Sequence, residues 1–217
     1  MMEYKYITEY DSPNFGYPDG KRGQNKPEKI VIHHWGNDES TFMGTLNWLC
    51  NPESQVSAHF VVEAGRSACL VNWNDAAWHA GDRETNKSSI GIECHPRCSY
   101  ADMVEVAKVI AMLWSAYGKL PLIGHKDVVA TACPGRWYDK LDDLKEMAEV
   151  IYSGGELPET EEPAKQILLG EFKTLREADD YLGNLLAEMN LATEQLESAK
   201  GVVAKLKKEL LNAKVVG

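Results

Sequence analysis

The chain has 217 residues, a formal net charge of −10, and 44% hydrophobic residues that include six tryptophans. That is enough for one sizeable packed domain plus an appendage, and the lack of a basic cluster argues against nucleic acid or an anionic membrane surface as a partner. No apolar run reaches the roughly 18 residues a membrane span needs. The five cysteines are odd in number, which does not suggest a disulfide framework in a chain made in a cytosol.

Residues 1 to about 28 are polar and turn-rich, with YPDGKRGQNKP as a loop. The opening MMEYKYITEYDSP has no basic start followed by an apolar stretch, so no secretory signal is expected. Lys29 to His34 is a short run rich in Ile and Val, predicted to be a buried strand. From Ser40 to Cys50, Phe42, Leu46 and Leu49 fall at helical spacing, and Asn51-Pro52 ends the helix. Ser57 to Glu63 and Ala68 to Asn72 read as two strands joined through Ala64-Gly65-Arg66. Ser89 to Cys94, SIGIEC, is another strand. Ala101 to Tyr117 carries Met103, Val106, Ala107, Ile110, Leu113, Trp114 and Tyr117 on one stripe. Asp102, Glu105 and Lys108 fall outside that stripe, which makes an amphipathic helix closed by Gly118. PLIGH, ending at His125, is a short buried strand, and Leu141 to Tyr152 is a last helix. The alternation predicts an α/β domain over residues 1–152, with a mixed central sheet flanked by helices.

The stretch GHKDVVATACPG, Gly124 to Gly135, sets a His and a Cys eight positions apart in a loop closed by Pro134-Gly135. Imidazole nitrogen and thiolate sulfur are usual zinc ligands. A third ligand is offered upstream in KIVIHHWG, at His33 or His34. Neighbouring strand residues point to opposite faces, so the two cannot both face one ion, and periodicity does not choose between them. Three protein ligands with an open fourth position suit a hydrolytic zinc site.

Glu93 is a single carboxylate at the end of the apolar strand SIGIE. Burial raises a carboxyl pKa toward the working pH, which suits a general base and acid. The competing reading is a solvated strand-end glutamate. Thr131, two before Cys133, offers a hydroxyl to the reaction, or a local cap to the loop backbone. His59, beside Phe60, reads as a core or supporting histidine, whereas His79, in WHAG, reads as lining a cleft. His34, Trp35, Trp78 and His79 are the candidate substrate-binding residues. Cys94-His95-Pro96-Arg97-Cys98 lacks a second CxxC-type pair and reads as a structural turn.

Five motifs in this order, IVIHHWG, SAHFVV, AAWHAG, SIGIE and GHKDVVATACPG, make residues 28 to 150 resemble the type-2 N-acetylmuramoyl-L-alanine amidases. That superfamily includes phage endolysins and the peptidoglycan-recognition proteins. The resemblance implies a mixed sheet with helices against it and a shallow groove holding one zinc ion. It assigns the first histidine of the strand motif, His33, as a ligand together with His125 and Cys133. It makes Glu93 the catalytic acid and base and gives Thr131 a place beside the oxyanion, where some members have Lys. Some members carry a Tyr at the position of Ala58, so here more of the proton handling falls to Glu93. The implied reaction hydrolyses the amide joining N-acetylmuramic acid to L-alanine of the peptidoglycan stem. A phage or prophage endolysin is the expectation, made in the host cytoplasm without a signal peptide and acting on the wall after release. A non-catalytic peptidoglycan-binding protein and a cytosolic amidase recycling soluble muropeptides are the competing readings. Binding-only members typically lack a zinc ligand, commonly the Cys, and this chain keeps all three.

From Ser153 the composition changes. SGGELPETEEPAK is Gly, Pro and Glu with almost nothing to bury, so 153–166 reads as an acidic linker. From 167 to 217 the chain reads as a separate α-helical coiled-coil tail. Leu168, Leu175, Leu182, Met189, Leu196, Val203 and Leu210 recur every seven residues, and three positions after them come Glu171, Ala178, Leu185, Ala192, Ala199 and Leu206, all but the first apolar. A sustained 3.5-residue period calls for a left-handed coiled coil. One such helix, about 70 Å long if continuous, cannot bury its own seam, so it must pair with a copy of itself or fold back as a hairpin at Gly183 or Gly201. The heptad register runs through both glycines, so a straight helix and a homo-oligomer are expected. Light scattering should give a multiple of the chain mass for the full chain and a monomer for a version ending near residue 155. A full chain that stays monomeric at micromolar concentration overturns the expectation.

Overall fold

The computed structural model describes residues 5–17 and 26–157, so most of the linker and all of the expected coiled-coil tail at 167–217 lie outside the described residues. In chain order the elements are β1 (Lys5–Ile7), β2 (Phe15–Gly16), β3 (Lys29–His34), α1 (Phe42–Leu49), β4 (Phe60–Glu63), β5 (Arg66–Cys69), β6 (Ala76–Ala77), α2 (Arg83–Ser88), β7 (Ser89–Cys94), α3 (Tyr100–Tyr117), β8 (Leu122–Gly124) and α4 (Leu141–Tyr152). Six strands form one mixed sheet in the order β1-β5-β4-β7-β3-β8, and β2 pairs with β6 in a small second sheet. Strands β4, β7, β3 and β8 run parallel, and β5 turns back antiparallel on β4.

The period-2 alternation of side chains divides this sheet into two unlike faces. Ile30, Ile32, Phe60, Val62, Ile90 and Ile92 point to one face, where Val106, Ile110, Leu113 and Trp114 of α3 and Leu144 of α4 cover them. Fully burying each such side chain is worth about 1.5–3 kcal/mol, so this face anchors the fold. On the other face Val61, Ala68 and Leu70 meet Phe42, Leu46 and Leu49 of α1. Helix α1 covers only part of that face, and the uncovered part lies at the C-terminal ends of β3 and β7.

Helix α3 starts at Ser99, whose hydroxyl accepts from the Asp102 backbone while the Asp102 carboxylate returns to the Ser99 N–H. This capping box satisfies two orphan donors at the helix start. Asp102 lies outside the apolar stripe as the spacing predicts, but it is fully buried, and Glu105 is 6% exposed. The reason is a set of partners that periodicity does not show. Arg97 donates two bonds of 2.7 Å to the Asp102 carboxylate, and the Ala64 N–H of the β4–β5 turn donates another at 2.8 Å. Burial opposes the charge, yet these donors hold the carboxyl below its ordinary pKa. The turn Cys94–Cys98 is therefore structural, carrying Arg97 to the helix cap.

Several other elements differ from the sequence reading, among them β6 and α2, which it did not expect, and β5, which spans Arg66–Cys69 rather than Ala68–Asn72. The hairpin turn is only Ala64-Gly65, because φ is +80° at Gly65 and a tight two-residue connection follows from it. Arg66 is thus already paired with Glu63. Strand β4 begins only at Phe60: the Ser57 N–H bonds to Trp78 O, away from the sheet, while His59 extends the ladders as a single residue, its N–H bonding to Gly91 O and its carbonyl accepting from the Leu70 N–H. The N-terminal stretch contributes β1 and β2, which at three and two residues are too short to show a period. Among the described residues no helix is long and apolar enough to cross a membrane.

Candidate active site

The parallel register of β3 and β7 pairs His33 with Glu93 and His34 with Cys94. His33 and Glu93 therefore share the face opposite α3, at the strands' C-terminal ends. Ligand sites of open α/β sheets form there, because the loops leaving those ends can close over the exposed strand edge. Strand β8, on the far side of β3, runs out at Gly124 into a single 3-10 turn, His125–Asp127. The Asp127 carboxylate fixes this turn, accepting from the Gly124 N–H at 2.8 Å and from the Tyr138 hydroxyl at 2.8 Å. Gly124 has to be glycine, since a Cβ there would lie 2.6 Å from the Tyr138 ring. The loop then brings Cys133 back toward β3, its N–H capped by Thr131 Oγ1 at 3.2 Å and followed by cis-Pro134.

One ligand atom each from His33, His125 and Cys133 lies within 4.8 Å of the other two. Cys133 Sγ is 3.7 Å from His33 Nδ1 and accepts the His34 N–H at 3.4 Å. Packing places His33, not His34, in this cluster. His33 is 1% exposed within the cluster. The His34 ring instead lies over Gly135, where a Cβ would sit 2.6 Å from it. Its Nδ1 is shielded and has no hydrogen-bond partner among the described residues. His125 Nε2–H donates to the Ala80 carbonyl at 3.1 Å, which leaves its Nδ1 lone pair for the cluster.

The protonation states suit a metal. Burial holds His33 well below the ordinary histidine range, and the neighbouring His125, His34 and His59 add to it. Burial lowers His125 too. Both rings are therefore neutral at pH 7 and need lose no proton to ligate. Burial pushes the Cys133 thiol up to about 12, with Glu93 adding to the rise and the His34 N–H opposing it. The donor set of two imidazoles and one sulfur is one that zinc favours, and a cation is what converts that thiol to thiolate.

Glu93 is half-buried, and its Oε2 is shielded with no hydrogen-bond partner among the described residues. Burial raises its pKa from 4.5 to about 7. It is the titratable acid beside the three ligands, poised between its two states near neutral pH.

These residues floor a groove of about 580 Å³ walled by Thr41, Thr45, Trp48 and Trp78. Thr131 is exposed at its edge. Trp78 is 40% exposed, but Trp35 only 5%, its ring packed against Phe42 and His95 beneath the groove. His79 borders the groove while its Nδ1 sits 2.9 Å from His33 Nε2. His59 is a fully buried support, receiving the Gly91 N–H at Nδ1 and donating from Nε2 to the Asp75 carbonyl. A second groove of about 750 Å³ continues past Trp78 toward Tyr17, Asn86, Arg83 and Lys87. Sequence reasoning missed Trp48, which is 57% exposed. Its signal was a large apolar residue off the Phe42, Leu46, Leu49 stripe. It also missed Asn86, whose Oδ1 accepts the N–H groups of both His79 and Ala80, and for which the sequence carries no signal.

The family model for N-acetylmuramoyl-L-alanine amidase matches residues 23–136, a little over half of the chain. The chain belongs to this family. The amidase is 32% identical over 139 residues to N-acetylmuramoyl-L-alanine amidase A of Achromobacter lyticus, covering 61% of this chain and 74% of that one. It is 29% identical over 159 residues to the 1,6-anhydro-N-acetylmuramyl-L-alanine amidase AmpD of Haemophilus influenzae, covering 59% and 85%. Its fold matches the Staphylococcus aureus hydrolase AmiA with a TM-score of 0.57 at 24% identity, over 73% of this chain and 89% of that one. The catalytic domain of XlyA matches with a TM-score of 0.56 at 22% identity, over 66% and 99%. The chain is thus an enzyme that hydrolyses the amide between N-acetylmuramic acid and L-alanine.

The Glu93 shift has a sign that unfolding can read. Between pH 4.5 and about 7 the folded, metal-free chain keeps a proton that the unfolded chain has released. Raising pH through that window therefore destabilises the fold. The buried histidines slope the other way, because their folded pKa values lie below 6.5. Comparison with Glu93→Gln isolates the carboxyl: in denaturant titrations of metal-free protein, the variant should gain stability over the wild type as pH rises from about 5 to 8. Parallel curves would show that the folded chain does not raise this pKa.

Proposed function

We propose that this amidase is a zinc hydrolase that cleaves intact bacterial wall as a phage or prophage endolysin. The observation that carries the metal reading is the convergence of His33, His125 and Cys133, each with a lone pair or thiol turned inward, beside a carboxyl of raised pKa. His33, His125 and Cys133 would hold the ion, which supplies Lewis acidity to the scissile carbonyl and acidifies the attacking water.

Glu93 handles the proton. With a pKa of about 7 it accepts a proton from the attacking water as carboxylate and then gives it to the departing L-alanine nitrogen as carboxylic acid. Acid–base catalysis is most effective when the group's pKa lies near the working pH. Thr131 Oγ1 accepts the Cys133 N–H, so its O–H proton remains available to the developing oxyanion, a weaker contribution than a lysine would make. Trp48 and Trp78 offer exposed aromatic faces along the groove, Trp35 its floor, and His34 a polar edge for the substrate, whereas His79 has both ring nitrogens engaged by His33 and Ser89. The groove is partly open to solvent and adjoins a second one across Trp78, which suits an extended substrate. Release from the host cytoplasm to the wall, and assembly of several catalytic domains through the C-terminal helix, complete the proposal; the latter would raise avidity for a repeating substrate.

The Haemophilus relative, whose name specifies a 1,6-anhydro-muramyl substrate, favours a second reading, recycling of soluble fragments. Mass spectrometry of digests separates the two. New L-alanine amino termini from intact walls are the outcome expected, whereas cleavage confined to soluble muropeptides favours recycling. Chelation should abolish activity and added zinc restore it; full activity in a metal-free preparation refutes the metal. Glu93→Gln should retain zinc and lower turnover by roughly 10²–10⁴-fold, and unchanged turnover would move the proton handling to another group.

A further inference from the structure

Behind the three ligands lies a chain of hydrogen bonds whose direction the geometry fixes. Ser89 Oγ is 2.6 Å from the Thr85 carbonyl and 3.3 Å from His79 Nε2. A carbonyl only accepts, so the Ser89 proton points to Thr85, and the bond between Ser89 and His79 must be donated by His79 Nε2–H. A neutral imidazole with its proton on Nε2 presents a lone pair at Nδ1. His79 Nδ1 is 2.9 Å from His33 Nε2, so His33 in turn carries its proton on Nε2. Its lone pair is then left at Nδ1, the atom that faces Cys133 Sγ at 3.7 Å.

We propose that His79 and Ser89 are positioning residues that lock His33 in the tautomer that ligates through Nδ1. The inference rests on the zinc reading above for its consequence, though not for the tautomer itself. His79 is fixed for this task from several sides. Its ring lies over Gly91 in mid-strand β7, where a Cβ would come within 2.4 Å of the ring carbon Cγ. Its backbone N–H is held at 3.0 Å by Asn86 Oδ1, which also holds the Ala80 N–H at 2.8 Å. The Ala80 carbonyl meanwhile accepts from His125 Nε2–H at 3.1 Å. One loop, Trp78 to Gly81, therefore orients both imidazole ligands, His33 through a side chain and His125 through the main chain. Partners of this kind set ligand orientation and basicity, and their loss typically costs 10–100-fold in metal affinity.

Nitrogen-15 NMR of the full-length, zinc-free chain reads the tautomer directly. The expected result is His33 protonated on Nε2, and a proton on Nδ1 overturns the proposal. Chelator competition then reads the consequence. His79→Ala should raise the zinc dissociation constant roughly 10–100-fold with the metal-free thermal unfolding curve still cooperative. His79→Asn, whose amide oxygen can stand where Nδ1 stood, should recover most of that loss. Ser89→Ala is milder: it should leave the fold intact and let His79 sample both tautomers, broadening or splitting the His33 signals. Wild-type affinity in His79→Ala, or equal weakening in the Ala and Asn variants, refutes the positioning role. A wild-type chain that binds no zinc sinks the metal reading instead, and the tautomer spectrum still decides this one.

Discussion

The site depends on the in-register parallel pairing of β3 with β7. Because strand side chains alternate, that register does two things at once. It drives Ile30, Ile32, Ile90 and Ile92 into the core under α3 and α4, and it sets His33 beside Glu93 on the opposite face. A slip of one residue would send the isoleucines to the groove and the histidine and carboxyl into the core. Hydrophobic burial on one face thus enforces the chemistry on the other. No local feature of the site could hold the two groups together against that driving force.

The rest of the constellation follows from where neighbouring strands stop. β8 ends two residues short of β3, its last pair being Gly124 with Ile32, so the chain turns into a helical turn just as it reaches the level of His33. Asp127 and Tyr138 pin that turn, and His125 arrives with Nε2 already engaged by Ala80. The same loop returns Cys133 to the end of β3, where the His34 N–H meets its sulfur. His34 then contributes through its backbone to the cluster that its neighbour's side chain occupies. That resolves how two adjacent histidines on one strand can both matter without both facing an ion.

Much of this was legible in the sequence, and the exceptions have two causes. His33 or His34, Glu93, His125 and Cys133 stood out because residue types that carry chemistry interrupted short apolar strands or a Pro-Gly loop. The helices over Phe42–Leu49 and Tyr100–Tyr117 followed from the 3.6-residue period. What sequence did not show were relations between polar groups on different elements and loops: Asp102 with Arg97 and Ala64, Asn86 with His79 and Ala80, Ser89 with His79. None has a spacing rule, since each joins separate elements. Gly91 was a clue in plain view. A glycine inside an apolar strand marks a close approach, and the approaching group is the His79 ring. The two-residue turn at Gly65 and the short strands β1 and β2 were lost for a different reason, because two or three residues carry no measurable period.

The electrostatics of the site explain why so many polar groups are tolerated in it. Burial lowers the pKa of His33, His59 and His79, raises that of Glu93 to about 7, and raises that of Cys133 to about 12. Desolvation thus suppresses every charge in turn, and near pH 7 the cluster is close to neutral, so the fold bears little of the cost of buried ions. A divalent cation among these groups inverts that logic. The proposed ion would draw the thiol proton off Cys133 and favour the carboxylate form of Glu93, leaving the imidazoles neutral. The site therefore holds two kinds of group: histidines that burial keeps neutral, and acids whose pKa burial raises. Such a division lets the chain fold around its polar site with little buried charge.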